Sequence, residues 1–156
     1  MQLAMTGLFR AKWTEEIHEE WIRNVLKDRT DLKREQLERT RELMNEHVLD
    51  CVVDGYQDLI PAITLPDEDD RHVVAAAIRC KADVIVTFNL KDFPDSELTK
   101  YDVEAQHPDE FIHNLFDLDS VAVASAAKRQ RESLKNPPVS VDRLLSTLEK
   151  QGLAQT

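Results

Sequence analysis

The residues of this chain equipped for chemistry are acids, and they stand in three groups. Glu16 and Glu20 are one helical turn apart, Asp67, Glu68, Asp69 and Asp70 are consecutive, and Asn89 and Asp92 follow an apolar run. Carboxylate oxygens are the natural ligands of hard cations such as Mg2+ and Mn2+, so the chemistry they suggest is metal-assisted. Each group also has a plainer explanation. An i, i+4 acidic pair is ordinary on a solvated helix face, which suffices for Glu16. Glu20 directly precedes the apolar Trp21, so the rim of a core and open solvent are equally good readings for it. Acids at a helix start serve as caps and complement the dipole, but four within one turn exceed what one cap needs. Asn89 and Asp92 fall where a strand ends, the place where open α/β sheets gather ligands, although turn chemistry explains Asp92 equally well. His72 stands close enough to donate to a phosphate or water, yet a histidine beside a cap more commonly has a surface or supporting role.

Other chemistries lack their residues. Three glycines, at positions 7, 55 and 152, leave no glycine-rich loop to cradle phosphate. The five histidines show no zinc-binding spacing, and no serine has a nucleophile-elbow context. Cys51 and Cys80 lack ligand spacing and read as reduced packing residues. Lys128, Arg129 and Arg131, with Lys135, form a basic cluster that could contact an RNA backbone or an acidic partner, while basic residues late in a helix also simply complement its dipole. Trp13 and Trp21 adjoin apolar neighbours and read as packing residues rather than base-stacking platforms.

A chain of 156 residues with 42% hydrophobic content can build one ordinary core. A formal charge of −10 repels nucleic acid over most of the surface, so a polyanion must be met locally or through metal ions. No apolar run approaches a membrane span and the opening residues lack a secretion signal, so a cytoplasmic location is expected.

The elements that must position these residues follow from periodicity and turn chemistry. Residues 8–13 suit a short strand. Thr14 is an N-cap for a helix to about Lys27, with Ile17, Trp21 and Val25 as its core-facing stripe and Ile22 and Leu26 beside it. A more charged outer helix fits residues 31–47. Residues 49–53 read as a strand, ended by the Asp54-Gly55 turn and a helical turn over 56–60. The alanine-rich run 73–78 predicts a helix packed closely on a sheet, and 84–88 predicts a strand buried on both faces. A loop over 91–94 and a shorter strand over 101–105 follow. Pro108 marks a helix start, Asp119 caps a helix of about four turns that the prolines at 137 and 138 end, and Ser140 opens a last helix stopped by Gly152.

The run Leu65-Pro66-Asp67-Glu68-Asp69-Asp70-Arg71-His72-Val73, followed by Ala82-Asp83-Val84-Ile85-Val86-Thr87-Phe88-Asn89-Leu90-Lys91-Asp92-Phe93-Pro94, resembles the second half of a PIN domain. Upstream, Trp13-Thr14-Glu15-Glu16-Ile17 through Glu20-Trp21 is similar to the helix bearing that family's acid, and His107-Pro108-Asp109-Glu110-Phe111 resembles the continuation in a bacterial subfamily. The resemblance implies an α/β fold, a three-layer α/β/α sandwich with a parallel sheet. It implies a Mg2+- or Mn2+-dependent endoribonuclease, of the VapC-like toxins that an antitoxin protein restrains, with RNA as substrate and a homo-oligomeric assembly. Glu20 and Asp70 match the catalytic acids, with Asp67 and Asp92 as further metal ligands and Asn89 auxiliary. Two departures shape the expectation. The family's first strand, ending in a metal-holding aspartate, has no counterpart, because residues 1–7 resemble the last turns of the helix that should follow it; and Asn89 stands where many relatives carry aspartate. An impaired nuclease is therefore expected, with a non-catalytic PIN-like protein-binding module as the alternative. The expected organisation is a PIN-like domain over 1–136 with a C-terminal helix, 137–156, packed on it.

Overall fold

Thr14 opens the first helix of the computed structural model, which describes residues 2–135 and 137–154. The Thr14 hydroxyl accepts from the backbone N–H of Ile17 at 3.0 Å, and α1 runs Glu15–Asp28 with two acids in its first turn. Its buried residues are His18 and Ile22, so the core-facing stripe is rotated from the expected Ile17, Trp21 and Val25. The reason is that the His18 ring has polar partners on both sides. The Trp21 indole N–H donates to His18 Nδ1 at 2.8 Å, and His18 Nε2 lies 3.1 Å from Asn45 Oδ1, which also accepts from the Trp13 indole at 2.7 Å. An indole nitrogen can only donate, so Nδ1 accepts and Nε2 carries the proton directed at Asn45.

The outer helix α2 is Arg34–His47, with Leu37 as its buried residue. It starts three residues later than expected because Asp31 is engaged by the Arg29 guanidinium through two 2.7 Å hydrogen bonds. The Asp54-Gly55 turn, with Gly55 at φ +67°, leads into a 3-10 segment over Gln57–Ala62. Next come α3, Arg71–Cys80, and β1, Val84–Val86. A short α4, Asp95–Leu98, precedes β2, Glu104–Gln106. β1 and β2 pair in parallel, with Glu104 N–H bonded to Asp83 O and Thr87 N–H to Gln106 O, each at 3.0 Å. The mixed helix and parallel-sheet architecture is the α/β class expected.

Several strands are shorter than predicted. Residues 8–13 and 49–53 contribute an isolated parallel bridge between Trp13 and Val52, because Asp50 takes a positive φ of 53° that breaks the extended run. Of the expected strand over 84–88, three residues are strand; Ile85 is buried, whereas Val86 and Phe88 are 44% and 63% exposed. Side chains alternate along a strand, and here one face alone is covered. The strand expected over 101–105 begins only at Glu104, since a 3-10 turn over Thr99–Tyr101 and a left-handed Asp102 intervene. Residues 2–5 form turns, not the end of a regular helix. Met1, Asn136, Gln155 and Thr156, which the expected helix end and domain limits touch, lie outside the described residues.

The chain divides into two units. The larger, Ala11–Ile85 with Lys91–Ala105, has a core of Val53, Tyr56, Ile63, Leu65, Val74, Ala75, Ala76, Ala77, Ile85, Phe93, Leu98 and Val103. The three small alanines let α3 lie close to its neighbours. The smaller, Met1–Arg10 with Val86–Leu90 and Gln106–Thr156, contains among its described residues the helices α5, Pro108–Leu118, α6, Ser120–Ser133, and α7, Val141–Lys150. Their starts are the predicted ones: Pro108 in the first turn of α5, Asp119 Oδ1 accepting from Ala122 N–H at 2.9 Å, and Ser140 Oγ accepting from Arg143 N–H at 3.2 Å. Leu115, Val123 and Ala126 are buried, and Phe9 meets Phe111 edge to face. Among the described residues no helix is long and apolar enough to cross a membrane.

Candidate metal centre

The acids of the larger unit are held by core residues beside them in the chain. Leu65 is buried two residues before Asp67, the buried Val74 sits one turn into the helix that Asp70 precedes, and the buried Phe93 adjoins Asp92. Burying these anchors fixes the backbone that carries the carboxylates. Asp67, Asp70 and Asp92 thereby each place a carboxylate oxygen within 4.8 Å of the others.

Capping does not account for Asp70. It occupies the N-cap position of α3, yet its side chain makes no cap hydrogen bond. Asp67 by contrast accepts from the Asp69 N–H at 2.9 Å, a local turn contact that orients one of its oxygens. Burial pushes the Asp70 carboxyl above the usual aspartate range, and the charges of Asp67, Asp92 and Glu20 push it further, opposed by His72. Three hard oxygen donors crowded at like charge, one reluctant to ionise, are what a divalent cation relieves. The donor set fits Mg2+ or Mn2+, which prefer oxygen ligands.

Glu20 lies outside this trio but acts on Asp70 through its charge. Its Oε1 is 3.2 Å from His72 Nε2. Glu16, one turn earlier, accepts from the Tyr56 hydroxyl at 3.0 Å and lies 3.6 Å from His72 Nδ1. Spacing alone puts Glu16 on a solvated face and gives His72 a surface or supporting place; the structure buries His72 between the two glutamates. The legible signal was the i, i+4 spacing of the glutamates, which presents both to one neighbour.

The remaining site residues lie in the smaller unit. Asn89 donates its backbone N–H to Thr87 Oγ1 at 3.1 Å. Lys128 and Arg129 are exposed on α6, where Arg129 reaches Gln2 Oε1 at 3.4 Å and Arg131 donates to Val139 O at 3.4 Å. Trp13 and Trp21 are engaged through their indole N–H groups, in line with the packing role expected of them. Cys51 and Cys80 are free thiols, and burial pushes both above the usual thiol range, as suits packing residues.

Residues 1–91 match the family described as PIN domain, and residues 108–156 match the one described as VapC50 C-terminal domain. The chain is 42% identical over 97 residues to a protein of Mycobacterium tuberculosis (strain ATCC 25618 / H37Rv) named "Putative ribonuclease VapC50". That similarity takes in 62% of this chain and spans 57% of the relative's length. No solved structure matches the chain.

Proposed function

This chain belongs to the PIN-domain family, and on that premise we propose that it is a divalent-metal-dependent endoribonuclease, the toxin of a VapC-like toxin–antitoxin pair. The observation that carries the reading is the convergence of Asp67, Asp70 and Asp92, with Asp70 driven towards its neutral form by burial and by its neighbours. The printed name of the relative, a ribonuclease, supports RNA as the substrate.

Asp67, Asp70 and Asp92 hold the cation, and Glu20 adds negative charge from α1. Bound there, Mg2+ or Mn2+ supplies Lewis acidity towards a phosphodiester and a nucleophile drawn from water at neutral pH. Asn89 serves as an orienting amide. With a net charge of −10 the protein repels RNA at long range, so Lys128, Arg129 and Arg131 of α6 serve as local contacts to phosphate or to an acidic partner. An antitoxin protein and a second copy of the chain are the proposed protein partners.

The test is cleavage of RNA by the purified chain with Mg2+ or Mn2+, its loss in EDTA, and its loss in Asp70→Asn. Since changing a residue that merely supports a ligand costs roughly 10- to 100-fold, loss of a direct ligand should lower the rate by about 100-fold or more. Undiminished cleavage by D70N removes the assignment. If calorimetry detects no Mn2+ binding by the chain, the favoured function becomes that of a non-catalytic PIN-like module that binds protein.

A further inference from the structure

His72 is the buried ionisable residue nearest the acids in sequence, and its position is not explained by packing alone. It lies two residues into the α3 side of the acidic run, 3% exposed, while Glu20 and Glu16 on α1 are 31% and 51% exposed. Its two ring nitrogens face different glutamates. Nε2 is at 3.2 Å from Glu20 Oε1, a hydrogen-bond distance, whereas Nδ1 is 3.6 Å from Glu16 Oε2 and has no hydrogen-bond partner among the described residues. Glu16 is instead held by the Tyr56 hydroxyl at 3.0 Å. One of the two glutamates is therefore oriented by the histidine and the other by the tyrosine.

We infer that His72 is a positioning residue: through its Nε2 it holds the Glu20 carboxylate towards Asp70, so that α1 delivers its charge to the acids that α3 and the loop after β1 supply. This rests on reading Asp67, Asp70 and Asp92 as a metal centre. The physical need is plain. Glu20 has a flexible side chain and sits among like charges that repel it, so a free carboxylate would swing out to solvent. A buried donor with a locked ring keeps it in place at little entropic cost, because the ordering is done when the core forms. His72 stands in the first turn of α3, two residues after the N-cap Asp70, so a carboxylate 3.2 Å from its ring is held at the end of α3 where Asp70 stands.

The two nitrogens make the idea separable from a packing role. A glutamine amide nitrogen reaches the place of Nε2, and an asparagine amide nitrogen reaches that of Nδ1, while phenylalanine fills the ring volume with no donor. The experiment is calorimetric titration of the full chain with Mn2+ for wild type, His72→Gln, His72→Asn, His72→Phe, Glu20→Gln and the double variant E20Q/H72N. The expected pattern is affinity within about threefold of wild type for H72Q and a loss of about tenfold for H72N and H72F. E20Q/H72N should be no weaker than E20Q alone, because the histidine acts through that carboxylate. Equal losses in H72Q and H72N, or additive losses in the double variant, overturn the inference while leaving the metal centre intact. Absence of Mn2+ binding by the wild-type chain overturns the metal-centre reading itself, and the role given to His72 with it. If H72F does not fold, the comparison of H72Q with H72N decides alone.

Discussion

Two groups of polar side chains in the larger unit are built on opposite principles. Around His18, every nitrogen is matched: the Trp21 indole feeds Nδ1, Nε2 faces Asn45, and Asn45 also takes the Trp13 indole. Around Asp70, like charges are gathered instead, with the cap hydrogen bond that would settle the residue left unmade. Buried polar groups that find partners stabilise a fold, whereas like charges gathered in space repel one another, so the first group supports the fold and the second opposes it. The difference teaches that the polarity serving structure matches donor with acceptor, whereas the proposed metal centre gathers groups of one charge.

Metal addition breaks the symmetry most strongly. Mn2+ at about 100 times its dissociation constant should stabilise the wild-type chain by roughly 2.7 kcal/mol, seen as a rise of about 5–10 °C in thermal melting, and D70N should show little of it. A wild-type melting curve that ignores Mn2+ would erase the contrast. Removing Asn45 attacks the other group. N45A leaves two donors, the Trp13 indole and the His18 imidazole, without their acceptor, so it should cost about 1–3 kcal/mol in chemical denaturation, with Mn2+ affinity held within about twofold. A large loss of Mn2+ affinity in N45A would show that the two groups are coupled.

The smallest effect sharpens the sign of the comparison. Because the folded-state pKa of Asp70 lies above its unfolded value, the folded state binds the extra proton. The contribution of Asp70 to stability without metal is then greatest below the ordinary aspartate range and is lost as pH rises through the raised value. Asp70 is partly exposed, so solvent screening limits the change to under about 1 kcal/mol. D70N without metal should lack this decline and be slightly more stable than wild type near neutral pH, the reverse of N45A. Denaturation midpoints across the pH range for wild type and D70N check this; parallel curves would mean that Asp70 is not strained.

The helices were legible because their signals are local. Thr14, Pro108, Asp119 and Ser140 mark starts through hydrogen bonds or a fixed φ within one turn. Strand extent was less so, since it depends on what covers each face. The apolar run through Phe88 looked buried on both sides, yet Val86 and Phe88 are exposed. The acids themselves were also readable, as residue types suited to Mg2+ or Mn2+ at element ends.

Their relations were not. That residues 67, 70 and 92 share one metal was implied by the family resemblance alone; nothing in their spacing marks a mutual approach, which the burial of Leu65, Val74 and Phe93 produces. The same holds for His72, whose neighbours in sequence are acids and alanines but whose partners, Glu16 and Glu20, lie on a helix some fifty residues earlier. Composition and spacing determined which groups this protein has and which local structures carry them. Tertiary packing alone decided which of those groups share charge, because electrostatic and hydrogen-bonding energies depend on distance in space, and the sequence specifies that distance only through the folded core.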